Sequence, residues 1–248
     1  MRNGFRVFDA HAHLGRARHS GRVATLQGML RSMDAAGVDR TLLIPFPVVE
    51  DYRREHDEIG AALRSHPDRF AGAACLDPFV PESMFREEVR RCREAHGFRA
   101  LKFQPQYQGL NPLSERSDFL FETALENEMV LVCHTGAGAP FALPSLFIHP
   151  ARRFPGLRIV LGHAGGGLYV LEAIVAPSVC PNIYIELSTL MPHAVLEILG
   201  HVGADRLMAG SDLPESLETE IGKILGLPIP ERSKQEILWE TAAALFGE

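Results

Sequence analysis

Five side chains of metal-ligating type recur at one kind of place in this sequence, directly behind a short apolar run. His11 and His13 close Phe8-Asp9-Ala10-His11-Ala12-His13, and His134 closes Leu131-Val132-Cys133-His134. His163 follows Val160-Leu161-Gly162, and Asp212 follows Ala209-Gly210-Ser211. Residues two apart in a strand share a face, so His11 and His13 project together. Alone, an HxH triplet says little in a chain with 11 histidines among 248 residues. Three further ligand types at strand ends make coincidence a poor explanation. Buried imidazoles and a carboxylate are costly when unpaired, and one divalent ion satisfies them together. Such N/O donors suit Zn²⁺, Mn²⁺, Fe²⁺ or Co²⁺, with zinc the default expectation. Three or four protein ligands leave a position for water, which the ion activates as a nucleophile near neutral pH.

These side chains need strands to carry them, and short apolar runs alternate with amphipathic segments along the whole chain, the rhythm of βαβ units. Eight strands are predicted: Phe5–His13, Arg40–Phe46, Phe70–Pro78, Arg99–Gln106, Met129–Thr135, Arg158–Ala164, Asn182–Ser188 and Arg206–Ser211. The clearest helices are Ala24–Ala36, Tyr52–Ser65, Glu82–Ala95, Asp118–Glu128, His193–His201 and Glu231–Phe246. Gly37, Gly97 and the His66-Pro67 pair supply stop signals. The first βα turn has no GxGxxG, so a closed barrel is preferred to an open doubly wound sheet. The expected fold is α/β, a single (β/α)8 TIM barrel over residues 1–248, with its site at the C-terminal ends of the strands.

A net charge of −6, with 46% hydrophobic and 23% charged residues, is that of an ordinary globular protein without a basic footprint. Nucleic acid and membrane are excluded as expected partners, leaving a small-molecule substrate, with a homo-oligomer compatible. No leader pattern opens the sequence, no run spans a bilayer, and the four cysteines form no CxxC pair, which points to the cytoplasm. Cys133 has the opposite strand phase to His134 and should face the helices. His19, His56, His66, His96, His149, His193 and His201 lie away from strand ends and read as surface or packing residues. The glycines Gly165 to Gly167 serve either a tight turn or an approach to an anion. Gln104 and Gln106 share the face of Lys102 by alternation, and Glu186 and Ser188 share a face on strand seven. They are candidate substrate contacts, or polar residues of ordinary βα loops.

DAHAH, KFQP, CHTG, GHAGG and GSD, in this order and at barrel spacing, resemble the amidohydrolase superfamily over nearly the whole chain. KFQP and His-Ala-Gly-Gly are similar to the branch called amidohydrolase 2, which contains aminocarboxymuconate semialdehyde, resorcylate and other aromatic-acid decarboxylases beside lactone and amide hydrolases. The resemblance implies that His11, His13, His134 and Asp212 bind one metal. It implies that His163 completes the shell or polarises substrate, and that Asp212 also moves protons as general acid and base. Lys102 falls where binuclear relatives carry a lysine that, carbamylated by CO₂, bridges a second metal. Its KFQP context favours the mononuclear case, in which the amine orients a substrate carboxylate; pairing with a nearby acid is the plain structural alternative.

Short βα loops leave the site open to water, which favours hydrolysis of a small ester, lactone or amide by a metal-activated water. Non-oxidative decarboxylation of an aromatic or unsaturated carboxylic acid is the alternative, with Arg16, Arg18 and Arg22 as arginines to bind its carboxylate. A non-catalytic, metal-stabilised barrel is the reading of another class, and it gives Asp212 nothing to do. Leu213-Pro214-Glu215-Ser216 departs from the aromatic or histidine expected after GSD-x-P.

Overall fold

Apolar runs and amphipathic segments become strands and helices in strict succession in the computed structural model, which describes residues 1–247. In chain order they are β1 (Phe8–Arg16), β2 (Val23–Ala24), α1 (Leu26–Ala36), β3 (Arg40–Pro45), α2 (Tyr52–Ser65), β4 (Phe70–Ala74), α3 (Glu82–His96), β5 (Ala100–Phe103), α4 (Asp118–Glu126), β6 (Val130–His134), α5 (Ile148–Arg153), β7 (Ile159–Gly162), α6 (Val170–Val179), β8 (Ile183–Glu186), α7 (Pro192–Leu199), β9 (Leu207–Met208), α8 (Leu217–Gly226), α9 (Glu231–Gln235) and α10 (Thr241–Phe246). The expected stop signals act as such. Gly37 and Gly97 end α1 and α3 in the left-handed conformation, at φ 67° and 72°, while Thr25 and Asp51 cap the starts of α1 and α2.

β1 and β3 to β9 lie parallel in sequence order, and β2 folds back antiparallel on the end of β1. The sheet closes on itself. Ala10 N donates to Ala209 O at 2.9 Å, Asp212 N to His11 O at 2.7 Å and His13 N to Asp212 O at 3.0 Å, so the segment after β9 pairs with β1. This is the expected (β/α)8 barrel. Its interior is filled by alternate strand residues, among them Leu42, Ile44, Ala73, Val132, Val160 and Met208, closed below by Phe8, Trp239 and Phe246. The opposite phase, including Leu43, Phe103, Leu131, Cys133 and Leu161, packs under the helices, as expected for Cys133.

β1 begins and ends three residues later than predicted, and the shift has a cause. Phe8 and Ala10 face the interior, and simple alternation would send Ala12 there too, turning His11 and His13 outward. Instead the register slips between Asp9 and Ala12, and Ala12 and Leu14 pack on the helix side. The irregularity flips the phase and presents both imidazoles to the mouth, as bulges at barrel rims do.

The predicted last helix, Glu231–Phe246, has a π turn at Glu236–Glu240 between α9 and α10. The wider turn takes Ile237 O out of the usual ladder, and this carbonyl accepts from Ala209 N at 2.9 Å. Arg6 lies over the Trp239 ring at 3.5 Å, and Trp239 packs on Phe8 with 5.7 Å between ring centroids. Among the described residues no helix is long and apolar enough to cross a membrane.

Candidate metal centre

Asp212 Oδ1 is the point on which the imidazoles converge. His13 Nε2 lies 3.5 Å from it, His163 Nε2 3.8 Å and His11 Nε2 3.9 Å. These spacings are close to the edge, about 3.4 Å, of a tetrahedron with bonds of about 2.1 Å. His11, His13 and Asp212 form one group whose ligand atoms lie within 4.8 Å of one another, and His11, His163 and Glu186 form a second.

Backbone geometry aims two of these side chains. By strand phase His163 would follow Leu161 to the helix side, but a left-handed φ of 66°, continued at Ala164 with 44°, turns it inward. Asp212 is held at φ 64°. Non-glycine residues seldom adopt this region, and such strain collects at functional sites. Motif glycines make room: a Cβ on Gly210 would stand 2.3 Å from Glu186 Oε1, and one on Gly162 3.1 Å from His11 Cε1.

Hydrogen bonds set the tautomers. His11 Nδ1 donates to Glu186 Oε2 at 3.0 Å, His13 Nδ1 to Pro45 O at 3.1 Å and His163 Nδ1 to Ser188 Oγ at 2.7 Å. Each ring thus directs an Nε2 lone pair into the mouth, the form in which imidazole binds a metal. His134 shares the mouth, with its ring 4.9 Å from that of His163, but its Nε2 donates to Ala137 O at 2.7 Å, leaving Nδ1 as its lone-pair nitrogen.

Burial lowers the pKa of all four histidines, to about 4 for His13 and His134 and further for His11 and His163; Lys102 adds to the effect on His11. All four are neutral imidazoles at physiological pH. Burial would raise the Asp212 carboxyl, but His163, His13, His11 and Lys102 outweigh it, leaving the group well below its usual range and ionised. Three neutral nitrogens, each held through its Nδ1, and one carboxylate fit a single divalent ion.

Lys102 Nζ donates to His11 Nε2 at 2.8 Å, so an ion bound by His11 would have to displace the amine from that lone pair, and burial lowers the lysine pKa. The structure brings it into the site. Glu186 and Gln104 are placed differently from the substrate contacts expected of them. Glu186 is fully buried beneath the imidazoles, where its carboxylate takes His11 Nδ1, His163 N, Ser188 N and Ser188 Oγ. Gln104 is turned into its own loop, Oε1 accepting from Tyr107 N at 2.7 Å. Gln106 likewise braces a loop, accepting from Phe141 N, and Arg22 pairs with Glu215, tying the first loop to the segment behind Asp212.

Sequence reasoning missed Asp9, which is fully buried and accepts from Ser211 N at 2.9 Å and Ser211 Oγ at 2.8 Å, clamping the residue next to Asp212. Burial pushes its carboxyl up to about 8 against the pull of those bonds. Its position two before His11 was the available signal. The glycines Gly165 to Gly167 all have positive φ and form the tight turn. His56 is buried in a packing network: Glu88 Oε1 holds its Nδ1 at 2.8 Å, Cys75 its Nε2, and Arg91 covers the carboxylate. That grouping of His56, Glu88 and Cys92 has its polar atoms paired already.

The amidohydrolase family model (Amidohydro_2) matches residues 8–247. Among solved structures, 5-carboxyvanillate decarboxylase from Novosphingobium aromaticivorans, complexed with manganese and 4-hydroxy-3-methoxy-5-nitrobenzoic acid, superposes with a TM-score of 0.79 at 18% identity, over 98% of this chain and 96% of that chain. Dihydroxybenzoic acid decarboxylase from Polaromonas sp. JS666, with manganese and 2-nitroresorcinol, gives 0.77 at 17% over 98% and 97%. 4-Oxalomesaconate hydratase from Rhodopseudomonas palustris gives 0.72 at 17% over 97% and 95%. At these identities the likeness is one of fold, whereas the family match runs through every strand and every residue of the mouth. The chain belongs to the amidohydrolase family of enzymes.

Proposed function

We propose that this enzyme is a mononuclear metal-dependent lyase that releases CO₂ from a small aromatic or unsaturated carboxylic acid. The observation that carries the reading is Lys102, a buried amine against the donor set, placed to receive a substrate carboxylate. The manganese and the substituted aromatic ligands held by two structures of the same fold support it. This reverses the order expected from the sequence, where hydrolysis led. His11, His13, Asp212 and His163 would hold the ion, with His134 near by; bound there, it would polarise a substrate oxygen. Manganese is the first ion to try, and the zinc expected by default the second.

In this reading Lys102 orients the carboxylate, and Glu186 and Ser188 hold His11 and His163 in their ligating tautomers. Asp212, ionised and with its side chain 28% exposed, would take a proton from solvent and pass it to the carbon that loses CO₂, returning to the carboxylate. The free, buried state of Cys75, Cys92, Cys133 and Cys180 supports a reducing, cytoplasmic setting, with residues 1–248 as one working unit. Hydrolysis keeps one observation in its favour, an ionised Asp212 open to water.

The test incubates the manganese-loaded enzyme with a panel of aromatic and unsaturated carboxylic acids, lactones and amides. The lyase reading expects a product lighter by one CO₂, with CO₂ evolved. Products heavier by one water, without CO₂, would overturn it in favour of hydrolysis.

A further inference from the structure

α6 is apolar on both sides. Its inner side seats Val170, Ala173, Ile174 and Ala176 against the barrel. On the other side Leu171 is 69% exposed, Leu168 just ahead of the helix 84%, and Val175 and Val179 are also exposed. Intervals of four residues place Leu171, Val175 and Val179 on one stripe of α6, with Leu168 exposed in the turn just ahead of it. A helix apolar all round belongs in a contact on both faces. α7, packed beside α6, adds exposed Met191 and Leu196. Together they expose on the order of 600 Å² of apolar side chain, the upper end of what a monomer leaves open. That is enough for the centre of an interface burying about 800 Å² per partner, the size of a stable dimer.

The charge pattern selects the occupant. Glu172, the ionisable residue within α6, is turned aside to Ser145, whose N and Oγ it accepts at 3.2 and 2.6 Å. The stripe therefore offers neither an acidic nor a basic partner a counter-charge, while an uncharged apolar stripe can complement itself across a two-fold axis. We infer that a second copy of this chain seats here, α6 against α6, in a two-fold dimer. Leu168 directly follows the Gly165–Gly167 turn behind His163, so the partner lies beside the barrel mouth.

The test measures molecular mass by light scattering at micromolar concentration for wild type and for the double variant Leu171→Glu, Val175→Glu. A dimer is expected for wild type, with the dimer fraction of the variant at least tenfold lower and its circular dichroism unchanged. Val175→Cys checks the geometry independently. It sits near the middle of the stripe and so meets its own copy, and the native cysteines are all buried. Oxidation should link two chains through it, but not through Met84→Cys on α3, which packs between α2 and α4. A wild type of single-chain mass without crosslinking at residue 175 would overturn the dimer. So would a dimer indifferent to the double variant, or a monomer that binds lipid vesicles through this face.

Discussion

Nζ of Lys102 stands 2.8 Å from Nε2 of His11 on the floor of the mouth, both shut off from solvent. The amine touches the donor set without belonging to the group of ligand atoms around Asp212. Lys102→Met should therefore leave the content of bound ion unchanged while kcat/KM for a carboxylate substrate falls about 10–100-fold, the effect of losing a charge-assisted hydrogen bond of about 1.5–3 kcal/mol. Metal analysis beside kinetics checks both halves. Two ions in wild type and one in the variant would instead reveal a carbamylated, bridging Lys102.

Glu186 fixes His11 and His163 from behind with one carboxylate. Glu186→Gln keeps the shape but replaces the anion and one acceptor oxygen by an amide. Affinity for the ion should fall about 10–100-fold, as for other partners that orient metal-binding histidines. Competition with a chelator measures it, and an unchanged constant would show that Ser188 and the backbone orient the rings unaided.

Gly210→Ala tests the crowding under the site. A Cβ there would meet Glu186 Oε1 at 2.3 Å, so either the carboxylate or the strand must move. A loss of about 1–3 kcal/mol in unfolding free energy is expected, as for overpacking. The loss should shrink when Gly210→Ala is combined with Glu186→Ala, which denaturant titration of the four proteins can show.

The metal-free protein should be most stable near pH 6.5. His13 and His134 have folded pKa values of about 4, below the unfolded value of 6.5, so the unfolded chain binds more protons between these limits and stability falls as pH drops through them. His11 and His163 act in the same direction. Asp9 acts in the opposite sense: its folded value of about 8 lies above the unfolded 3.8, and its contribution is lost as pH rises towards 8. Four histidines outweigh one aspartate below about pH 6.5, and above it the loss from Asp9 leads until Lys102, whose folded pKa lies below the unfolded 10.5, opposes it towards alkaline pH. Thermal midpoints across this range, with Asp9→Asn flattening the alkaline limb, check the assignment.

The positions of the histidines were legible because a βα barrel puts its chemistry where apolar runs end, and His134 obeys simple alternation with Val132. Period-two logic also paired His11 with His13 correctly. It could not foresee that their strand must slip register after Asp9 to turn them inward, because slippage is a matter of pairing between strands. His163 is inward only through a left-handed backbone, which sequence phase does not encode. Of the two readings open for Gln104, the loop residue is the one observed, while Glu186 supports the imidazoles instead. Whether a polar side chain meets substrate, a neighbouring imidazole or its own loop depends on distances across the barrel. The π turn was hidden for the same reason, since its stimulus, Ala209 N, lies in another element.

The clamp of Asp9 on Ser211 joins residues 202 positions apart. The donor set straddles that seam, with His11 and His13 on one side and Asp212 on the other. During synthesis the imidazoles leave the ribosome long before the carboxylate, and a chain halted after β8 carries every histidine of the mouth without the group on which they converge. Capture of an ion by all of these donors would thereby require completion of the barrel, so a loaded metal would report that the last strand has found the first.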